Sequence, residues 1–152
     1  MTDVFTKSKR SEVMAAIRSS GNRETELAMI GLFRELGITG WRRNQRLRFL
    51  VRSSSFLVRP DFLFRRERIA LFVDGEFWHG HPRLCRIPAT RREWWLAKIE
   101  GNRKRDRLQN RVLRANGWMV VRIWQHELTR KHRARALRKL SGAGLMVVLP
   151  SA

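Results

Sequence analysis

The stretch FVDGEFWHGHP at residues 72–82 places the tightest limits on what this chain can become. It begins as an apolar strand and then delivers two carboxylates, two large aromatics and two histidines within ten residues. A solvated loop has no need of Phe77 and Trp78, and a core strand has no need of Asp74, Glu76 and His79. Any fold that contains this run must end a strand at a site, not at an ordinary turn.

The flanking patterns say what kind of fold that is. WRRNQRLRFL, LVRPDFLF and RIALFVDG read as three strands, the first two separated by the Ser-rich VRSSS loop. Pro60 then belongs at an edge or bulge, where a missing backbone donor is tolerated. GWMVVRIW supplies a fourth strand and HELTRKHRARALRKL a basic helix. Between them TRRE at 90–93 forms a capping box that opens a long helix running to about Asn116, with Gly117 ending it. Earlier in the chain Val13, Met14 and Ile17 stand at helical spacing. After Gly21 a second helix is capped by Asn22, carries Leu27, Ile30, Phe33 and Leu36 as its apolar stripe, and stops at Gly37. The order αα–βββ–α–β–α predicts an α/β domain, a mixed sheet with helices on its faces. Residues 1–10 read as a basic arm, 11–140 as the domain and 141–152 as a tail.

Charge narrows the partner. Lys and Arg outnumber Asp and Glu by 33 to 13, a net charge of +20 over 152 residues. Such an excess repels itself in a compact chain and calls for a polyanion. Nucleic acid comes first, because neutralising phosphates releases counterions. A membrane-spanning role is excluded by the shortness of the apolar runs IALFV and LMVVL, and no secretory signal is expected. A single cysteine, Cys85, rules out an internal disulfide and fits a reducing cytoplasm.

Several carboxylates stand where plain packing would not put them. Glu26 precedes Ile30 and Phe33 by four and seven residues, so it shares their inward side. On the long helix Trp95, Ile99, Asn102, Asp106 and Leu113 fall on one side, with two polar residues interrupting the stripe. Asp61 follows Pro60, and Asp74 ends the next strand thirteen residues later. Neighbouring strands would bring these two together, as a hard cation such as magnesium requires, with water completing its shell. A cation there can polarise a phosphate, and His79 is a candidate general base toward water. Phe77 and Trp78, with Trp94 and Trp95, are either core residues, the commoner fate of large aromatics, or wedges that unstack DNA. Arg103, Lys104, Arg105 and Arg107 read as phosphate contacts. Glu76, His81, Cys85 and His126 make a poor zinc set, since a structural site favours thiolates and only one cysteine exists.

The blocks VRPDF, FVDGEFWHGHP, PATRREWWLAKIEGNRKRD and GWMVVRIWQHEL, with RSEVMAAIRS ahead of them, resemble the very short patch repair (Vsr) mismatch endonucleases in order and spacing. The resemblance runs from about Lys9 to Leu128. It implies the restriction-endonuclease-like fold and a magnesium-dependent nick in one strand of duplex DNA beside a T:G mismatch. By position, Asp61 would be the central magnesium ligand. Asp74 would lie beside metal and phosphate, at a position where some members have histidine. His79 would activate water, and Glu26 and Asp106 would hold metal-bound waters. Phe77, Trp78 and Trp95 would form an intercalating wedge. The family's expected setting is a monomer in the bacterial cytoplasm, on the nucleoid, working alongside mismatch-repair proteins.

Two departures stand out. The family commonly places cysteine at the position of Glu76, cysteine or histidine at His81 and at His126, and a further ligand near Arg83 and Leu84. With glutamate first and only Cys85 near the third position, structural zinc is expected to be absent. The segment RFLVRSSSFLV is also longer than the usual link before the PD strand, making it either a DNA-contacting loop or a tolerated insertion. A nuclease indifferent to mismatches and a non-catalytic DNA binder are the alternative functions.

Overall fold

The structure, a computed structural model, describes residues 23–145. The expected basic arm, the helix around Val13, Met14 and Ile17, the Asn22 cap and the end of the tail lie outside them. Within the described residues run helix α1 (Arg23–Leu36), strands β1 (Arg42–Arg43), β2 (Leu47–Val51), β3 (Ser54–Val58), β4 (Phe62–Phe64) and β5 (Ile69–Asp74), helix α2 (Arg92–Ala115), strand β6 (Met119–Trp124) and helix α3 (Arg133–Gly142).

Four strands form the central sheet in the order β1-β4-β5-β6, antiparallel except for the parallel β5–β6 pair. Parallel neighbours need a long crossover, and α2 supplies it, about 36 Å of helix at 1.5 Å per residue. Because side chains alternate across a strand, both faces of β4 and β5 are committed to core. Phe62, Phe64, Ile69 and Leu71 pack with Met29, Leu32 and Phe33 of α1 and Ala136 and Leu140 of α3. Leu63, Ala70 and Phe72 face the opposite way, onto Leu113 of α2 and onto Leu47 and Val58. The mixed sheet covered on both sides is the α/β architecture that the pattern predicts. Leu145, beyond α3, is buried in the first of these clusters.

Phe33 anchors that cluster. It is fully buried, edge-on to Phe62 and Phe64 at 5.1 and 5.7 Å and stacked on Trp41 at 5.6 Å. Phe33→Ala leaves a cavity among rings that cannot collapse and is expected to cost about 3–5 kcal/mol in urea denaturation.

Several local expectations change. Leu27 is 51% exposed and not part of the α1 stripe. It stands about 100° round the helix from Glu26, whereas Met29, Ile30, Leu32 and Phe33 turn inward. The first expected strand breaks at Asn44, whose φ is 54°, so β1 pairs with β4 while β2 pairs with β3. The second breaks at Arg59 and Pro60, where the ring removes a ladder donor. The Ser-rich loop shrinks to a two-residue turn at Arg52 and Ser53, with Ser54 and Ser55 inside β3. The capping box does not form: Arg91 is the N-cap, in the left-handed region and without a side-chain cap. The first helical bond runs from the Trp95 N–H to the Arg91 carbonyl, which leaves Thr90 outside the helix. The last basic helix opens as two 3₁₀ turns, Gln125–Leu128 and Arg130–His132, separated by extended Thr129.

Candidate active site

Asp61 precedes β4 and Asp74 ends β5. The antiparallel register, with Phe62 opposite Leu71, carries Asp61 to the last turn of β5, where its Oδ2 accepts the Val73 N–H at 2.8 Å. Both carboxylates line an open cleft of about 770 Å³ together with Thr25, His79, Asn102 and Asp106. Burial is the chief influence on Asp61 and raises its pKa to about 6. The Val73 hydrogen bond opposes this, while the negative charges of Glu26 and Asp74 add to it.

His79 stands between two carboxylates. Its Nδ1 is 2.6 Å from Asp106 Oδ2, and its Nε2 is 3.6 Å from Asp74 Oδ1. Burial works against the charged ring, but the Asp106 hydrogen bond and the charges of Asp74 and Asp106 override it, so the pKa of His79 lies above the ordinary value. With Nδ1–H donating to Asp106, Nε2 is the nitrogen left to take a proton. The loop holding His79 is seated tightly on α2. Gly80 has φ 63°, and a Cβ there would meet Ile99 Cγ2 at 2.8 Å. Asn102 Nδ2 donates to the Trp78 carbonyl at 3.0 Å. The two polar interruptions of the α2 stripe, Asn102 and Asp106, are thus the residues that grip this loop.

Arg122 is a site residue that pattern reading passed over. Its Nη1 lies 3.1 Å from both Asp74 oxygens and 3.7 Å from Asp106 Oδ1. Its Nε donates to Asn110 Oδ1 at 2.7 Å, and its guanidinium lies over the Phe72 ring at 4.1 Å. The available signal was a lone arginine inside the apolar strand MVVRIW, because a half-buried guanidinium needs a carboxylate. Burial raises the pKa of Asp74, with Arg122 and His79 pulling against it. Arg43 was also missed; it pairs with Glu26, which is buried on the inward face of α1 as expected.

The aromatic trio is assembled. Phe77 and Trp78 are edge-on at 5.1 Å, and Trp95 lies 5.3 and 5.9 Å from them. Phe77 and Trp78 are half-buried and line the cleft, whereas Trp95 is 9% exposed and supports the pair from below. Of the expected phosphate contacts Arg105 lines the cleft, joined by Lys98; Arg103, Lys104 and Arg107 are exposed but do not line it, and Arg107 pairs with Glu100.

The residues expected at the doubtful zinc position are otherwise engaged. Glu76 Oε1 accepts from the His126 backbone N–H at 2.6 Å and lies 2.8 Å from His126 Nδ1. His81 Nδ1 accepts the N–H groups of Arg83 and Leu84 at 3.1 Å, and Cys85 donates to the Phe77 carbonyl at 3.5 Å. Burial raises the pKa of the Cys85 thiol, which disfavours the thiolate that zinc binds. This donor set does not fit structural zinc; the Glu76–His126 contact instead ties the ends of β5 and β6 directly. Glu76→Ala strands the His126 N–H and is expected to cost about 1–3 kcal/mol in thermal melting. A zinc chelator is expected to leave the wild-type melt unchanged.

A buried carboxylate beside a clamped imidazole at the end of a mixed sheet, opening into a cleft that also holds Lys98, Arg105 and Arg122, places the domain among the restriction-endonuclease-like nucleases. The family described as DNA mismatch endonuclease Vsr matches residues 2–84, and the chain belongs to that family and is a DNA endonuclease. It is 39% identical over 127 residues to the DNA mismatch endonuclease Vsr of Escherichia coli, covering 82% of this chain and 74% of the relative. It is 36% identical over 130 residues to the type II nicking enzyme V.XorIIP of Xanthomonas oryzae pv. oryzae, covering 85% and 88%. No helix among the described residues is long and apolar enough to cross a membrane.

Proposed function

We propose that this protein nicks one strand of duplex DNA beside a T:G mismatch, opening very short patch repair, by magnesium-dependent hydrolysis of a phosphodiester. The observation that carries the reading is the convergence of Asp61, Asp74 and a carboxylate-held His79 in a cleft bordered by Phe77 and Trp78. Family membership and the relatives' names support it. In this reading the protein works as a monomer in the bacterial cytoplasm, on the nucleoid and alongside mismatch-repair proteins.

Magnesium fits the donors at Asp61. The described residues contain no cluster of three or more His, Cys, Asp or Glu set to hold a metal, but magnesium commonly takes only one or two carboxylates plus substrate phosphate and water. A divalent cation would also offset the burial, and the lesser like-charge crowding, that hold Asp61 high. Asp61 would hold it, with Asp74 beside it, and bound there it would stabilise charge developing on the phosphate.

The chain's own groups supply the rest. Neutral His79 accepts a proton from the attacking water at Nε2, and Asp106 and Asp74 stabilise the imidazolium that results. Arg122 pairs with Asp74, favouring its ionised form against burial and fixing it beside the ring. Glu26, secured by Arg43, adds a second negative charge near Asp61. Phe77 and Trp78, backed by Trp95, present the faces that enter the base stack at the mismatch. Arg105 and Lys98 contact the strand phosphates.

The test is a labelled duplex with one T:G mismatch, incubated with protein and magnesium beside the matched T:A duplex. A nick confined to the mismatched strand is the expected result. Equal cutting of both duplexes would keep the nuclease and discard mismatch recognition; binding without cutting would favour the non-catalytic alternative.

A further inference from the structure

We infer that the β2–β3 hairpin is a second DNA-contacting element, a basic ribbon that lies in a groove of the duplex flanking the cleft. The inference rests on the reading of the cleft as a duplex-cutting site and adds to it a surface on which that site does not depend.

The hairpin is a two-stranded sheet of its own, not paired with the central four strands. Its register fixes two faces. Leu47 opposite Val58 and Phe49 opposite Phe56 turn toward the core cluster of Leu63, Ala70, Phe72 and Leu113. Arg48 opposite Leu57 and Leu50 opposite Ser55 turn to solvent, leaving Leu50 82% and Leu57 47% exposed. Leucines this exposed on a ribbon anchored by its other face point to an occupant.

Three observations make that occupant DNA. From Trp41 to Pro60 the chain has no acidic residue, and Arg46, Arg48, Arg52 and Arg59 are all exposed with no carboxylate partner among the described residues. Unpaired guanidiniums beside exposed leucines suit phosphates and base edges better than a second copy of a chain charged +20. The turn adds to this. Arg52 and Ser53 have φ 48° and 66°, as a two-residue hairpin turn requires. Turn chemistry alone favours Asn or Gly there, yet a guanidinium is held at the tip. Finally the outer face is continuous with the site, since Leu57 and Arg59 line the cleft with Asp61. Five-residue strands span about 17 Å, and a ribbon of this kind enters the roughly 12 Å major groove. There the arginines meet phosphates and Leu50 meets base edges or methyl groups.

Binding is measured without divalent metal, by fluorescence anisotropy of a labelled duplex over a salt series. The triple variant Arg46→Ser, Arg48→Ser, Arg52→Ser is expected to bind at least tenfold more weakly at low salt. Its slope of log affinity against log salt should be shallower by about 2–3, near 0.9 per lost phosphate contact. Leu50→Ser should weaken binding with the slope intact. A control triple, Arg130→Ser, Arg135→Ser, Arg138→Ser, removes equal charge from exposed positions near and on α3 and should keep the wild-type slope. Circular dichroism confirms that each variant is folded. A folded ribbon variant with wild-type affinity and slope overturns the inference, as does a control triple that loses as much as the ribbon triple. If ribbon variants lose binding but the wild type never nicks T:G duplex, the ribbon stands and the proposed function falls. If the wild type nicks T:G duplex while ribbon variants bind normally, the reverse holds.

Discussion

Asp61→Asn is expected to abolish nicking and, in the same protein, to strengthen the fold. The loss follows from removing the carboxylate that would hold the cation. Several kcal/mol of transition-state stabilisation, at about 1.4 kcal/mol per decade, makes the rate fall on the order of a thousandfold or more. The gain follows from linkage. Burial lifts the pKa of Asp61 to about 6 in the folded protein, against 3.8 for an ordinary aspartate, so the folded state holds its proton more tightly than the unfolded one. Its contribution to stability is therefore fully present below pH 3.8, declines as pH rises through 6, and above that the buried charge is a standing cost of about 1–3 kcal/mol. The Asn side chain keeps an acceptor for the Val73 N–H without the charge. Urea denaturation without divalent metal should show Asp61→Asn more stable than wild type at pH 8, with the difference vanishing near pH 4. Added magnesium should then raise wild-type stability and leave the variant unmoved. An Asp61→Asn protein that nicks normally, or that is less stable at pH 8, would contradict the assignment.

The second large effect is at His79. His79→Ala should slow single-turnover nicking by roughly 10²–10⁴, the usual worth of a positioned general base. The pH profile gives the sharper readout. Only neutral His79 can accept a proton, and its pKa lies above the ordinary histidine value. The rate should therefore fall as pH drops through that raised pKa. Asp106→Asn keeps an acceptor for the ring N–H but removes a negative charge that sustains the raised pKa, so this limb should move to lower pH. A profile in Asp106→Asn that superimposes on wild type would show that Asp106 does not act through the imidazole.

What was legible in advance had a local geometric rule behind it. Alternation and helical spacing put Glu26 on the inner face of α1 and Asn102 and Asp106 on the inner face of α2, and strand order brought Asp61 to Asp74. What was not legible depends on partners distant in sequence. Arg122 reads as a break in an apolar strand until β6 pairs in parallel with β5 and its guanidinium reaches Asp74, 48 residues earlier. The two long apparent strands at 41–50 and 57–64 split because their halves pair with different neighbours; Pro60 was the visible sign of the second break, whereas the choice of partners was not visible. Leu27 shows the limit of stripe reading: a leucine near the start of a helix need not be inward when Met29, Ile30, Leu32 and Phe33 already fill the groove.

The bond between Glu76 and His126 has a meaning beyond the cleft. It is made of the chain's own atoms, so it is complete as soon as β5 and β6 come together. That corner is therefore held by a contact between residues 50 apart in the chain, and it closes with the pairing of β5 and β6.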